Sequence, residues 1–146
     1  MREAEMDYYQ KLRTKMKEWL QSDEGKTNQW AEYMMFAPDL FHLLCKLAVD
    51  KDIMISDKAK LAGAIVYYLS PLDIIPEILI GPLGFADDIA VAAYVLNQII
   101  NNSDPEIVRR HWAGEGEVLE LIQRILASAD QMLGSGLWNK IKQKFS

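Results

Sequence analysis

Apolar residues recur three and four positions apart along almost the whole of this chain, and strand-like alternation is nearly absent. A 3.6-residue repeat gathers such residues on one face of a helix, and a face of that kind has to be covered by another helix. Over residues 3–21, Tyr8, Tyr9, Leu12, Met16, Trp19 and Leu20 share one arc, with Lys11, Lys15 and Lys17 beside or opposite it. Over 116–133, Val118, Leu119, Ile122, Ile125, Leu126, Ala129 and Met132 do the same. The pattern predicts an all-α fold, a single compact domain of seven or eight helices. With 146 residues, half of them hydrophobic, the chain is long enough for one continuous core. No internal repeat or long linker divides it.

Between those two stripes the connector DEGKTN leads to a short helix over about 29–36, and Pro38 can open a third, to about 50. Residues 57–69, with Ser56 as N-cap, are apolar nearly all round (Leu61, Ala62, Ala64, Ile65, Val66, Tyr68, Leu69) and are expected to form the central helix. A helix over 85–102 buries Phe85, Ile89, Ala92, Leu96, Ile99 and Ile100, and packs antiparallel to 57–69. Asp104 and Pro105 start a short helix ending near Trp112, and LWNKIKQKF forms the last.

The balance of 16 basic against 21 acidic residues, net −5, argues against a phosphate-backbone binder, so nucleic acid is not an expected partner. A single cysteine builds no disulfide framework, and MREAEMDYYQ lacks the apolar core of a signal peptide. The expected setting is the cytoplasm, or the periphery of the membrane on its inner face. Residues 61–80 have about the 20 residues a bilayer crossing needs, but they hold two prolines and two acids. Each Asp near a helix centre costs about 2.5 to 3.5 kcal/mol on insertion scales, so the soluble reading is preferred.

The segment SPLDIIPEILIGPLGFADD, residues 70–88, sets Asp73, Glu77, Asp87 and Asp88 among apolar residues, and no Lys, Arg or His lies from Leu61 to Val108. Capping alone can explain Asp73, since S-P-x-D combines an N-cap serine, a first-position proline and a third-position acid. Glu77 again stands at the start of a turn, where the helix dipole favours an acid by about 0.3 to 1 kcal/mol. At 100° per residue Asp87 falls on the polar side of its helix, with Tyr94 and Asn97. Asp88 falls inside the apolar arc, with Ala92, Val95 and Ile99. An inward carboxylate must be paired, hydrogen-bonded or protonated. Three partners stay open for it: amides of helix starts, a base from Lys58, Lys60, Arg109 or Arg110, or a divalent cation, Mg2+ or Ca2+, gathered by Asp73, Asp87 and Asp88. No cation-loop pattern and no cofactor fingerprint is present.

The run YYLSPLDIIPEILIGPLGFADDIAVAAYVL, residues 67–96, resembles the YkvA-like family, also called the DUF1232 domain, of small bacterial proteins with occasional eukaryotic relatives. The shared features are an apolar helix, S-P-x-D-x-x-P-D/E, a Gly/Pro turn and a paired D-D opening the next helix. Here these are Ser70, Pro71, Asp73, Pro76, Glu77, Gly84, Asp87 and Asp88. Many members have Asp in place of Glu77 and a turn one residue shorter, which sets this chain apart at that position. The resemblance covers about 56–102, extends more loosely to the C-terminal part, and leaves 1–55 unmatched. It implies no biochemical activity, and only weakly an association with membranes.

Elsewhere, His42 and Cys45 stand three apart on a helix, but a zinc site would lack its remaining ligands, so they read as a surface histidine and a half-buried cysteine. The last helix puts Leu137, Trp138, Ile141 and Phe145 on one arc bordered by Lys140, Lys142 and Lys144. Trp138, Lys140, Lys142, Lys144 and Phe145 are thereby candidates for a membrane surface, at about 1 kcal/mol per lysine, although docking on the protein is preferred. The expected function is a non-enzymatic interaction or binding module with an unidentified protein partner or a membrane surface, its candidate ligand residues being Asp73, Glu77, Asp87 and Asp88. The alternative is a divalent-metal-dependent enzyme using Asp73, Asp87 and Asp88.

Overall fold

The structure, a computed structural model, describes residues 3–27, 29–69 and 86–146. Asp73, Glu77 and the S-P-x-D turn lie outside them, as does Phe85. The described residues are helical throughout their ordered elements: α1 (Glu3–Gln21), α2 (Asp23–Thr27), α3 (Ala31–Met34), α4 (Ala37–Ala48), α5 (Ile55–Leu69), α6 (Ala86–Asn102), α7 (Pro105–His111), α8 (Val118–Leu133) and α9 (Ser135–Lys144). They enclose one apolar core. Among them no helix is long and apolar enough to cross a membrane.

The stripes read from the sequence are the buried faces: Leu12 and Met16 on α1, Leu40, Phe41 and Leu44 on α4, Ile122 and Ile125 on α8. Asp104 caps α7, its carboxylate accepting from the Glu106 amide at 3.0 Å with Pro105 at the first position. Glu117 caps α8 by accepting from the Leu119 amide at 3.1 Å. Local details differ from expectation in two places. Asp23–Thr27, within the connector, forms a turn of helix. Ser56 is not an N-cap but lies inside α5, because the Lys58 amide already reaches the Met54 carbonyl at 2.9 Å.

The central helix is α6, not α5. Ala86, Asp88 to Ala93, Val95, Leu96 and Ile99 of α6 are all buried, and α6 packs on α4, α5, α7 and α8. Its alanines, Ala90, Ala92 and Ala93, have little bulk to hold neighbours away, which lets several helices approach it at once. In contrast, α5 buries Asp57, Leu61, Ala64 and Tyr68 against α4 and α6 and turns its remaining apolar side outward.

The expected antiparallel pairing of α5 and α6 is present and is pinned at both ends. At one end the Tyr67 hydroxyl donates to Asp87 at 2.8 Å; at the other Asn102 Nδ2 donates to buried Asp57 at 3.4 Å. The bundle is closed by α9. Its Trp138 packs edge-on against Tyr94, ring centres 5.8 Å apart, and Phe145 packs edge-on against Tyr67 at 6.0 Å while its carbonyl accepts from Gln98 at 3.0 Å. Trp138 and Phe145 are thus buried in the protein, so the membrane-surface set on α9 lacks its aromatic face, leaving Lys140, Lys142 and Lys144 near the surface.

Candidate ligand-binding site

Asp87 and Asp88 open α6 beside the end of α5, and they are not equivalent. Asp87 is half-buried; besides the Tyr67 hydroxyl it takes hydrogen bonds from its own amide and that of Asp88, the amides a helix start leaves without intrahelical partners. Burial nonetheless outweighs these bonds and raises its pKa above the ordinary carboxylate value. Architecture accounts for this residue.

Asp88 is 0% exposed, as its place in the apolar arc predicts, and neither carboxyl oxygen has a hydrogen-bond partner among the described residues. The reason is visible in the tyrosines around it. Tyr67 gives its proton to Asp87, Tyr8 gives its to the Tyr68 carbonyl at 3.0 Å, and Tyr68 gives its to the Ala37 carbonyl at 3.1 Å. Each of these three hydroxyls is committed elsewhere. The phenols of Tyr8, Tyr67 and Tyr68 are all pushed up, first by burial and then by nearby acid charge, that of Asp88 included in each case. Burial, reinforced by Asp87, likewise raises Asp88 well above the ordinary carboxylate range.

The bases considered for Asp88 are occupied or do not reach it. Arg109 pairs with Glu106 and Glu117, and Arg110 pairs with Asp50 and Asp52. Lys58 and Lys60 make no ion pair among the described residues. Lys144 lies over the Tyr67 ring, 5.7 Å from its centre, without bonding to either acid. Among the described residues no group of three His, Cys, Asp or Glu side chains is placed to hold a metal. His42 is half-buried against the Tyr9 ring, and Cys45 is more deeply buried than expected, with the rest of the core.

Residues 57–94, which carry both Asp residues and most of α5 and the first part of α6, match the family model described as "Protein of unknown function (DUF1232)". About a quarter of the chain is thus similar to the DUF1232 family. Over 107 residues, 73% of this chain and 73% of the relative, it is 28% identical to "Uncharacterized protein ORF9" of Methanothermobacter thermautotrophicus. Over 36 residues, 25% of this chain but only 14% of the relative, it is 58% identical to "E3 ubiquitin-protein ligase RNF170" of Xenopus laevis. No solved structure matches. Within the matched residues, sequence reasoning found Asp87 and Asp88 but passed over Tyr67 and Asp57. The signal was there: a tyrosine pair ending an apolar helix has two hydroxyls to satisfy, and an acid in a helix that apolar has to find a donor.

Proposed function

We propose that this protein is a non-enzymatic binding module whose DUF1232-like region takes up a divalent cation at Asp87 and Asp88, at the start of α6. The supporting observation is Asp88: an acid sealed from water, beside a second acid, with no donor turned toward it. Burial and the neighbouring acid favour the protonated form of such a group. A hard cation replaces that proton and is attracted to both carboxylates. Nothing among the described residues adds a general base or a cationic group for developing charge, so the enzyme alternative gains no support. In this reading the module works in the cytoplasm, which suits a chain with one cysteine.

The test is thermal melting of the whole chain in EDTA, Mg2+, Ca2+ or Mn2+, with Asp88→Asn as control. Binding to the folded state raises the melting temperature with dose. The expected result is a rise with at least one cation in the wild type and none in D88N. A melting temperature indifferent to all four conditions overturns the reading.

A further inference from the structure

The acid pair is tied to the far end of α9 through one side chain, Tyr67. Its hydroxyl donates to Asp87 Oδ2 at 2.8 Å, and its ring is gripped by α9. Phe145 stands edge-on to it, ring centres 6.0 Å apart, and the Lys144 ammonium lies 5.7 Å from its centre. Gly63, one turn before Tyr67 on α5, makes room for Phe145, since a β-carbon there would already touch that ring at 3.4 Å.

The grip is local. Among the helices α9 packs chiefly on α8, which it follows directly after Gly134, a residue with φ of 84° where glycine is favoured. Beyond Ile141 its last turn is held by the Phe145 ring, by Gln98 Nε2 donating to the Phe145 carbonyl at 3.0 Å, and by the Tyr94 and Ser146 hydroxyls, 3.4 Å apart. Lys144 makes no ion pair among the described residues. A helix end fastened by so few contacts opens at far lower free energy than the core does.

The docked turn works against a cation in two ways. To take a cation, Asp87 has to share or give up the oxygen that Tyr67 holds, and a ring flanked by Phe145 and Lys144 is hindered from swinging away. The second effect is charge. Counted through the ring, the hydroxyl and the carboxylate, the Lys144 ammonium lies within about 11 Å of Asp87, where it weakens the binding of a doubly charged ion by about threefold at low salt. Both effects vanish when the last turn of α9 lifts off.

We propose that the last turn of α9 is an autoinhibitory latch on the acid pair: docked, it keeps Tyr67 on Asp87 and sets Lys144 against an arriving cation. Cation uptake at Asp87 and Asp88 and docking of Lys144 and Phe145 therefore oppose each other, and by linkage each weakens the other equally. The inference rests on the cation reading above and adds the element that regulates it.

The experiment is isothermal titration calorimetry of the whole chain with Mg2+, Ca2+ and Mn2+, at low and at about 0.5 M salt. The wild type is compared with Lys144→Gln, Gln98→Ala and Asp88→Asn, and hydrogen exchange of residues 139–146 is followed with and without the cation. Lys144 is exposed and Gln98 only partly buried, so unchanged circular dichroism is expected of both variants. Lys144→Gln is expected to bind about threefold more tightly than the wild type at low salt and equally at high salt. Gln98→Ala is expected to bind more tightly at both, and the cation to speed exchange in 139–146 of the wild type but not of D88N. Binding by the wild type with the same affinity in Lys144→Gln and Gln98→Ala, or with exchange in 139–146 unchanged or slowed, overturns the latch and leaves the cation reading standing. No binding by the wild type or by either latch variant overturns the cation reading and the latch with it.

Discussion

The hydroxyl of Tyr67, in the last turn of α5, donates to Asp87, in the first turn of α6, across 2.8 Å. It joins the two helices at the end where their connection lies outside the described residues. The bond satisfies one acid of the pair and, by doing so, withholds a proton from the other.

Tyr67→Phe removes this donor and leaves a half-buried carboxylate with only its helix-start amides. A loss of about 1 to 2 kcal/mol is expected, read as a lower urea midpoint with an unchanged slope. No change in midpoint would mean that the amides alone suffice.

Asp88→Asn replaces a buried acid by a neutral group of the same shape. Folding raises the pKa of Asp88 above its ordinary value of 3.8, so above that pH the unfolded chain has lost a proton that the folded one retains. Stability attributable to this group therefore falls as pH rises from about 4 toward the folded pKa, by at most about 1.4 kcal/mol per unit. In cation-free buffer D88N should lack this decline, so that its advantage over the wild type grows as pH rises above about 4. Parallel stability curves would show that Asp88 is ionised in the folded protein.

Asp50 carries the opposite sign. Although burial works to raise it, hydrogen bonds from Arg110, His111 and the Asp52 amide hold its carboxyl well below the usual range. Its contribution is fully present above about pH 4 and is lost as pH falls through the lower folded value. Asp50→Asn should flatten this part of the acid limb in urea denaturation followed from pH 5 downward. An unaltered limb would remove Asp50 from the account.

Gly63, in the middle of α5, has room for a methyl group: a β-carbon there would touch only the Phe145 ring, at 3.4 Å. Gly63→Ala should stabilise by about 0.5 to 1 kcal/mol through helix propensity alone. Phe145→Ala should cost about 3 kcal/mol, since that ring closes the bundle over Tyr67. A destabilised G63A would mean that the ring cannot yield by the few tenths of an ångström required.

Much of the fold and part of the site were legible in the residues themselves. The 3.6-residue repeat placed Leu12, Phe41, Ile122 and Ile125 inward, Asp104 declared itself as a cap by the Pro105 that follows, and the arc holding Ala92 and Ile99 sent Asp88 to the interior. These are local matters, settled within a few turns of one helix by the direction in which successive side chains point. What the repeat could not settle was which apolar helix would be surrounded. Residues 57–69 looked apolar enough for the centre, yet α6, with its small alanines, is the one that several helices approach, and α5 keeps Ile55 and Val66 in water. Tertiary structure likewise decided that the hydroxyls near Asp88 would serve Asp87 and two backbone carbonyls. Periodicity specifies the face that a helix must cover, whereas the partner that covers it, and the group to which a buried proton is given, depend on contacts between residues far apart in the chain.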